Sequence, residues 1–145
     1  MAGFRRMLVG WDGSRDAQHA LRAAAHLAEE IGAEVVVLAV LKRHPHAEAT
    51  DEAEEEMAER RLEVTSEMEA SATQAALPPG LRLRNQTIEA DDPAAALGQY
   101  ADQHGFDLLV VGRHGLDRAV HPRVGGVTEY QVRHSRCPVL VVGRE

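Results

Sequence analysis

A chain of 145 residues with 44% apolar side chains has the size of one domain, residues 1–145, able to bury a core of its own. Its only rings of the Phe, Tyr and Trp kind are Phe4, Trp11, Tyr100, Phe106 and Tyr130, so the core must be aliphatic, and so few rings argue against a surface that stacks nucleobases on aromatic platforms. Seven of the 23 acids lie between Glu48 and Glu59 with no base among them, so the net charge of −7 is local, and the remainder, neutral against 16 bases, offers duplex DNA no basic face.

Met7 to Val9 reads as a short strand ended by Gly10, and Trp11-Asp12-Gly13-Ser14 as a turn. Ser14 suits a helix N-cap. Ala17, Ala20, Leu21, Ala24, Leu27, Ala28 and Ile31 then recur at helical spacing up to a stop at Gly32. Val35 to Leu41 is unbroken apolar sequence, the mark of a central parallel strand. Lys42 to Ala47 reads as a loop. Glu48 to Leu77 reads as one long helix with apolar positions at Met57, Ala58, Leu62, Thr65, Met68, Ala72 and Ala76. Its acidic first half is a solvated start at the positive end of the helix dipole, with an acidic protein-docking face as the other reading.

Pro78-Pro79-Gly80 stops that helix. Leu81 to Ile88, carrying Arg82, Arg84 and Asn85, reads as a charge-blunted edge strand. Asp92 caps the next helix, with Pro93 at its first position, and His104-Gly105 ends it. Leu108 to Val111 is a strand buried on both faces, Val127 to His134 a short helix, and Pro138 to Val142 the last strand. Strict alternation of strand and helix predicts an α/β fold: an open parallel sheet with helices on both faces. Ligands in such sheets sit beyond the C-terminal strand ends, where strand order reverses.

The richest segment follows Val111. Gly112, Gly115, Gly125 and Gly126 punctuate it, and a helix opens behind. Glycines let backbone N–H groups approach a ligand, and a helix N-terminus adds partial positive charge, so the pattern fits an anion site for phosphate. Turning is the plainer use of such glycines. Two facts favour the anion: the segment carries Arg113, Arg118, Arg123, His114 and His121 against one acid, Asp117, and it is long for a strand-to-helix connection.

This segment resembles the nucleotide loop of the universal stress proteins: Gly112, two residues, Gly115, nine residues, Gly125, then Gly126-Val127-Thr128. The opening Met7-Leu8-Val9-Gly10-Trp11-Asp12-Gly13-Ser14 and the ending Cys137-Pro138-Val139-Leu140-Val141-Val142 resemble that family too. The resemblance implies a Rossmann-like five-stranded sheet of order 3-2-1-4-5. It implies a nucleotide site at Gly10, Trp11, Asp12, Val40, Val111, Gly112, Arg113, His114, Gly115, Arg123, Gly125, Gly126, Val127 and Thr128. The implied ligand is ATP or another adenine nucleotide, with Mg as an optional companion ion. The implied assembly is a homodimer through the C-terminal strand. Asp12 keeps two readings, a ligand residue or a turn residue bonded to its own backbone. One position departs from the family: its ATP-binding pattern has Ser or Thr where Gly126 stands. That leaves open a branch that binds no ATP and works only through protein–protein contacts, or a slow ATP hydrolase.

Other chemistry is not indicated. The eight histidines lack metal-ligand spacing, and no nucleophile, base and orienting residue can be assembled, so neither catalytic nor metal residues are expected. The lone Cys137 excludes an internal disulfide and suits a reducing compartment. Phe4-Arg5-Arg6 runs straight into a strand, and no apolar run reaches membrane-spanning length. The expectation is a cytoplasmic protein with no nucleic-acid or membrane partner.

Overall fold

The computed structural model describes residues 3–43, 50–114 and 125–143. Five parallel strands, β1 (Arg6–Trp11), β2 (Glu34–Lys42), β3 (Leu83–Ala90), β4 (Leu108–Gly112) and β5 (Val139–Val142), form one sheet of order β3-β2-β1-β4-β5. The helices are α1 (Arg15–Ile31), α2 (Asp51–Gln74), α3 (Pro93–Gln103) and α4 (Gly126–His134). The predicted fold class and strand order are the observed ones. β1 pairs with β2 on one side and β4 on the other, so the chain reverses its direction of travel across the sheet between β1 and β4.

Alternation along the strands separates two cores. Met7, Val9, Trp11, Val35, Val37, Leu108 and Val110 face the alanine-rich side of α1, with Met68 of α2. Leu8, Val36, Leu38, Leu109 and Val111 face Leu97 and Ala101 of α3, with Phe106. Alanines at positions 17, 20, 24, 25 and 28 let α1 lie close on the sheet, which is how an interior with few rings reaches close packing. Among the described helices none is long and apolar enough to cross a membrane.

The capping signals act as read. Ser14 Oγ accepts the Ala17 N–H at 3.1 Å, Asp92 Oδ1 accepts that of Ala95 at 3.3 Å, and Gly32 closes α1 at φ 74°. Three elements differ by two residues or more at an end. β1 continues through Gly10 and Trp11, which pair with Leu38 and Ala39. Gly10 is there because a β-carbon would lie 2.9 Å from Leu97 Cδ2, so it admits α3 rather than ending the strand. α2 starts at Asp51 with Thr50 as its N-cap and ends at Gln74, short of Leu77. Ala76 turns left-handed at φ 48°, and a residue before proline, here Leu77, is held out of the helical region. β3 runs from Leu83 to Ala90, two residues later than its apolar pattern suggests, in register with β2 throughout. The segment 44–49, part of the predicted loop and helix start, lies outside the described residues.

The apolar phase of α2 also differs. Met68 is its one buried residue, Val64 packs beside it, and Leu62 is 69% exposed. A helix that covers the sheet margin along only part of its length has little selection on its outer face, so periodicity there is a weak guide.

Candidate functional site

Gly112 ends β4 beside the end of β1, and Asp12 follows β1 directly. Both therefore stand at the reversal of strand order, where an open α/β sheet forms its crevice. Asp12 is exposed, and its Oδ1 accepts the Ser14 N–H at 2.9 Å. That bond shapes the turn into α1, where Gly13 adopts φ 81°. The turn role of Asp12 is thus present, and its carboxylate stays at the surface of the same crevice.

Beyond β4 the chain is pinned at a neck. Arg113 N–H donates to Val142 O at 2.8 Å, and Gly125 N–H donates to Arg113 O at 2.9 Å. These bonds bring Arg113 and the start of α4 together. Gly115 and Arg123, with Arg118 and His121, lie outside the described residues.

Gly125 is the N-cap of α4, at φ −62° and ψ 156°, and caps it with no side chain. Gly126 is the first helical residue, one earlier than the expected start at Val127. The first bond into the helix is Glu129 N–H to Gly125 O at 2.9 Å. The N–H groups of Gly126, Val127 and Thr128 precede it and have no partner within the helix. A β-carbon on Gly126 would meet none of the described residues within 4 Å, so among them the helix start is open. Such an end is suited to an anion. The Thr128 side chain is buried, and its hydroxyl donates to Gly112 O at 2.6 Å, tying α4 to the tip of β4. Gln131, fully buried, donates to Ala94 O at 2.6 Å and ties α4 to α3.

The remaining predicted positions divide. Val111 is buried in the α3-side core, and Trp11 is buried in the α1-side core. Val40 is part-buried near the end of β2, paired with Ile88. Arg113 is exposed beside the neck. Gly112 lies against α1: a β-carbon there would sit 2.7–2.9 Å from the carbonyl and Cβ atoms of Asp16.

Asp16 is the residue that sequence reasoning missed. It is 1% exposed, and its Oδ2 accepts the His114 backbone N–H at 2.9 Å and meets the ring Nδ1 at 3.1 Å. The signal was present: Asp16 is in phase with Ala20, Ala24 and Ala28 on the buried stripe of α1. A carboxylate in the first turn also gains from the helix dipole. Among the described residues no three His, Cys, Asp or Glu side chains gather as metal ligands.

Comparison with known proteins follows the same lines. The model of the universal stress protein family matches residues 3–143. The universal stress protein YxiE of Bacillus subtilis is 30% identical over 152 residues, spanning 96% of this chain and 99% of that protein. The solved structure of UspA from Lactobacillus plantarum matches with a TM-score of 0.82 at 26% identity, over 98% of this chain and 99% of that one. A universal stress protein in complex with cAMP matches at a TM-score of 0.70 and 22% identity, covering 97% of this chain and 98% of that one. The Archaeoglobus fulgidus protein in complex with dAMP matches at 0.62 and 20%, covering 98% and 99%. At those last two identities the likeness is one of fold.

Proposed function

The chain belongs to the universal stress protein family, and from that premise we propose that it is an adenine-nucleotide-binding module, dimeric and cytoplasmic, that signals by its occupancy rather than by catalysis. The observation that carries the reading is the pinned neck: Gly125 bonded to Arg113, with the open N-terminus of α4 directly behind it. Three backbone N–H groups and a helix dipole converge where strand order reverses, and that is chemistry for a phosphate. Solved relatives of this fold hold cAMP and dAMP, which supports adenine nucleotides as the ligand class. ATP, with Mg as companion ion, is the form we favour. Residues Gly10, Asp12, Val40, Gly112, Arg113, His114 and Gly125 to Thr128, together with Gly115 and Arg123, are the proposed surroundings of the nucleotide. Val111 and Trp11 support them from within the two cores.

Dimerisation is proposed through β5. It is an edge strand, Leu140 and Val141 are 36% and 37% exposed, and Val132 of α4 is 62% exposed. An uncharged apolar edge invites strand pairing about a two-fold axis.

A second reading has one observation behind it. Gly126 offers no hydroxyl, and that of Thr128 already bonds to Gly112. On that ground the protein would act through its dimer without ATP. Labelled ATP incubated with the protein, followed by chromatography of the bound fraction, separates the readings. Retained ATP is the expected result. An empty protein sinks the nucleotide reading, and ADP with free phosphate makes the protein a hydrolase.

A further inference from the structure

Asp16 and His114, 98 residues apart in sequence, meet where β4 passes into the glycine segment. The Asp16 carboxylate holds both the backbone N–H and the ring Nδ1 of His114. A carboxylate only accepts, so Nδ1 carries the hydrogen in this contact. The other ring nitrogen, Nε2, is also buried and has no hydrogen-bond partner among the described residues. Buried polar atoms are almost always paired, so an orphan at the edge of a binding segment marks a place for a ligand atom. Gly112 makes the arrangement possible, since a β-carbon there would strike the main chain of Asp16.

We propose that Asp16 is a positioning residue that fixes the His114 ring so that Nε2 donates a hydrogen bond to a phosphate oxygen of the bound nucleotide. The inference rests on the nucleotide reading above and adds to it a named contact and its support. A ring held between two acceptors needs a hydrogen on each nitrogen, so the bound form is imidazolium. The buried carboxylate balances that charge and sets the ring orientation, as carboxylates do for ligating histidines. The charged groups nearest in the chain, Asp12, Arg15 and Arg113, are exposed, as are Glu129 and Arg133 of α4, which pair with each other. The Arg113 side chain runs toward Gly143, where a β-carbon would lie 3.5 Å from its Cδ. Asp16 is thus the described charged group in contact with the ring.

The test is calorimetric titration of the full chain with ATP, beside ¹⁵N NMR of the His114 ring with and without ATP. In wild type, ATP should move the Nε2 resonance to that of a nitrogen carrying a bonded hydrogen. His114→Gln should bind ATP about 10- to 150-fold more weakly, the range for a charge-assisted hydrogen bond. Asp16→Asn keeps an oxygen for the His114 backbone N–H. It should lower affinity as well and move the ring ¹⁵N shifts of His114 away from the Nδ1–H form. Circular dichroism checks both variants, and the wild-type ring shifts stand even where a variant unfolds. ATP bound by wild type with the Nε2 resonance unmoved, or bound equally well by His114→Gln, overturns this proposal while nucleotide binding survives. No ATP binding by wild type overturns both.

Discussion

Gly112 and Asp16 meet main chain to main chain: a β-carbon on Gly112 would lie 2.7 Å from the Asp16 carbonyl carbon and 2.8 Å from its Cβ. The tip of β4 can therefore lie directly against the first turn of α1. One further bond depends on that closeness, His114 N–H to Asp16, while Gly112 O accepts the Thr128 hydroxyl from α4. Glycine here serves the packing of α1 on β4, and through it the placing of the neck.

Gly112→Ala should consequently act on stability first. The neighbouring atoms are backbone and cannot swing aside, so overpacking of about 1–3 kcal/mol is expected. Thermal unfolding should show the midpoint falling by roughly 2–4 °C per kcal/mol for a chain of this size. A midpoint unchanged from wild type would mean that α1 yields easily, contrary to the packing described.

Gly126→Ser should behave in the opposite way. No described residue lies within 4 Å of the new β-carbon, so stability should stay within about 0.5 kcal/mol of wild type. The added hydroxyl offers a phosphate a second donor beside the backbone N–H. A hydrogen bond to a charged group contributes about 1.5–3 kcal/mol, so ATP should bind about tenfold tighter or more. Wild type, leaning on exposed Arg113, should lose affinity with added salt more steeply than the variant. Titrations at two salt concentrations check both points. If neither protein binds ATP, the dimer-only reading is the better account.

Asp12→Ala probes the two roles of that carboxylate together. Loss of the bond to Ser14 N–H should cost about 0.5–1.5 kcal/mol of stability. Loss of a charged contact to the nucleotide should weaken ATP binding by roughly 10- to 150-fold. Calorimetry and denaturant melts report the two effects separately. Unchanged ATP affinity with reduced stability would leave Asp12 as a turn residue alone.

Leu140→Lys tests the edge. A charge in the middle of β5 should block strand pairing between copies, as edge lysines do in natural sheets. Sedimentation at tens of micromolar should show a dimer for wild type and a monomer for the variant. A wild type that sediments as a monomer refutes the proposed assembly.

What the sequence by itself determined is local in origin. Ser14, Asp92 and Gly32 cap helices through bonds or dihedrals spanning a few residues, so they are legible in any window that contains them. The same holds for the apolar runs of β2 and β4 and for the alternation that requires a parallel sheet. The order of the strands was read from the resemblance to a known family rather than from composition, and the sheet has that order. Tertiary structure decided what depends on atoms distant in the chain. Gly10 looked like a strand end, and Leu97, brought over it by α3, makes it an interior strand position. Leu62 looked like core, but α2 covers too little of the sheet to bury it. Asp16 looked like an ordinary first-turn acid until β4 carried His114 onto it. A carboxylate finds such a partner only once α1, β4 and the start of the glycine segment have packed, because close approach is a property of surfaces and not of spacing along the chain.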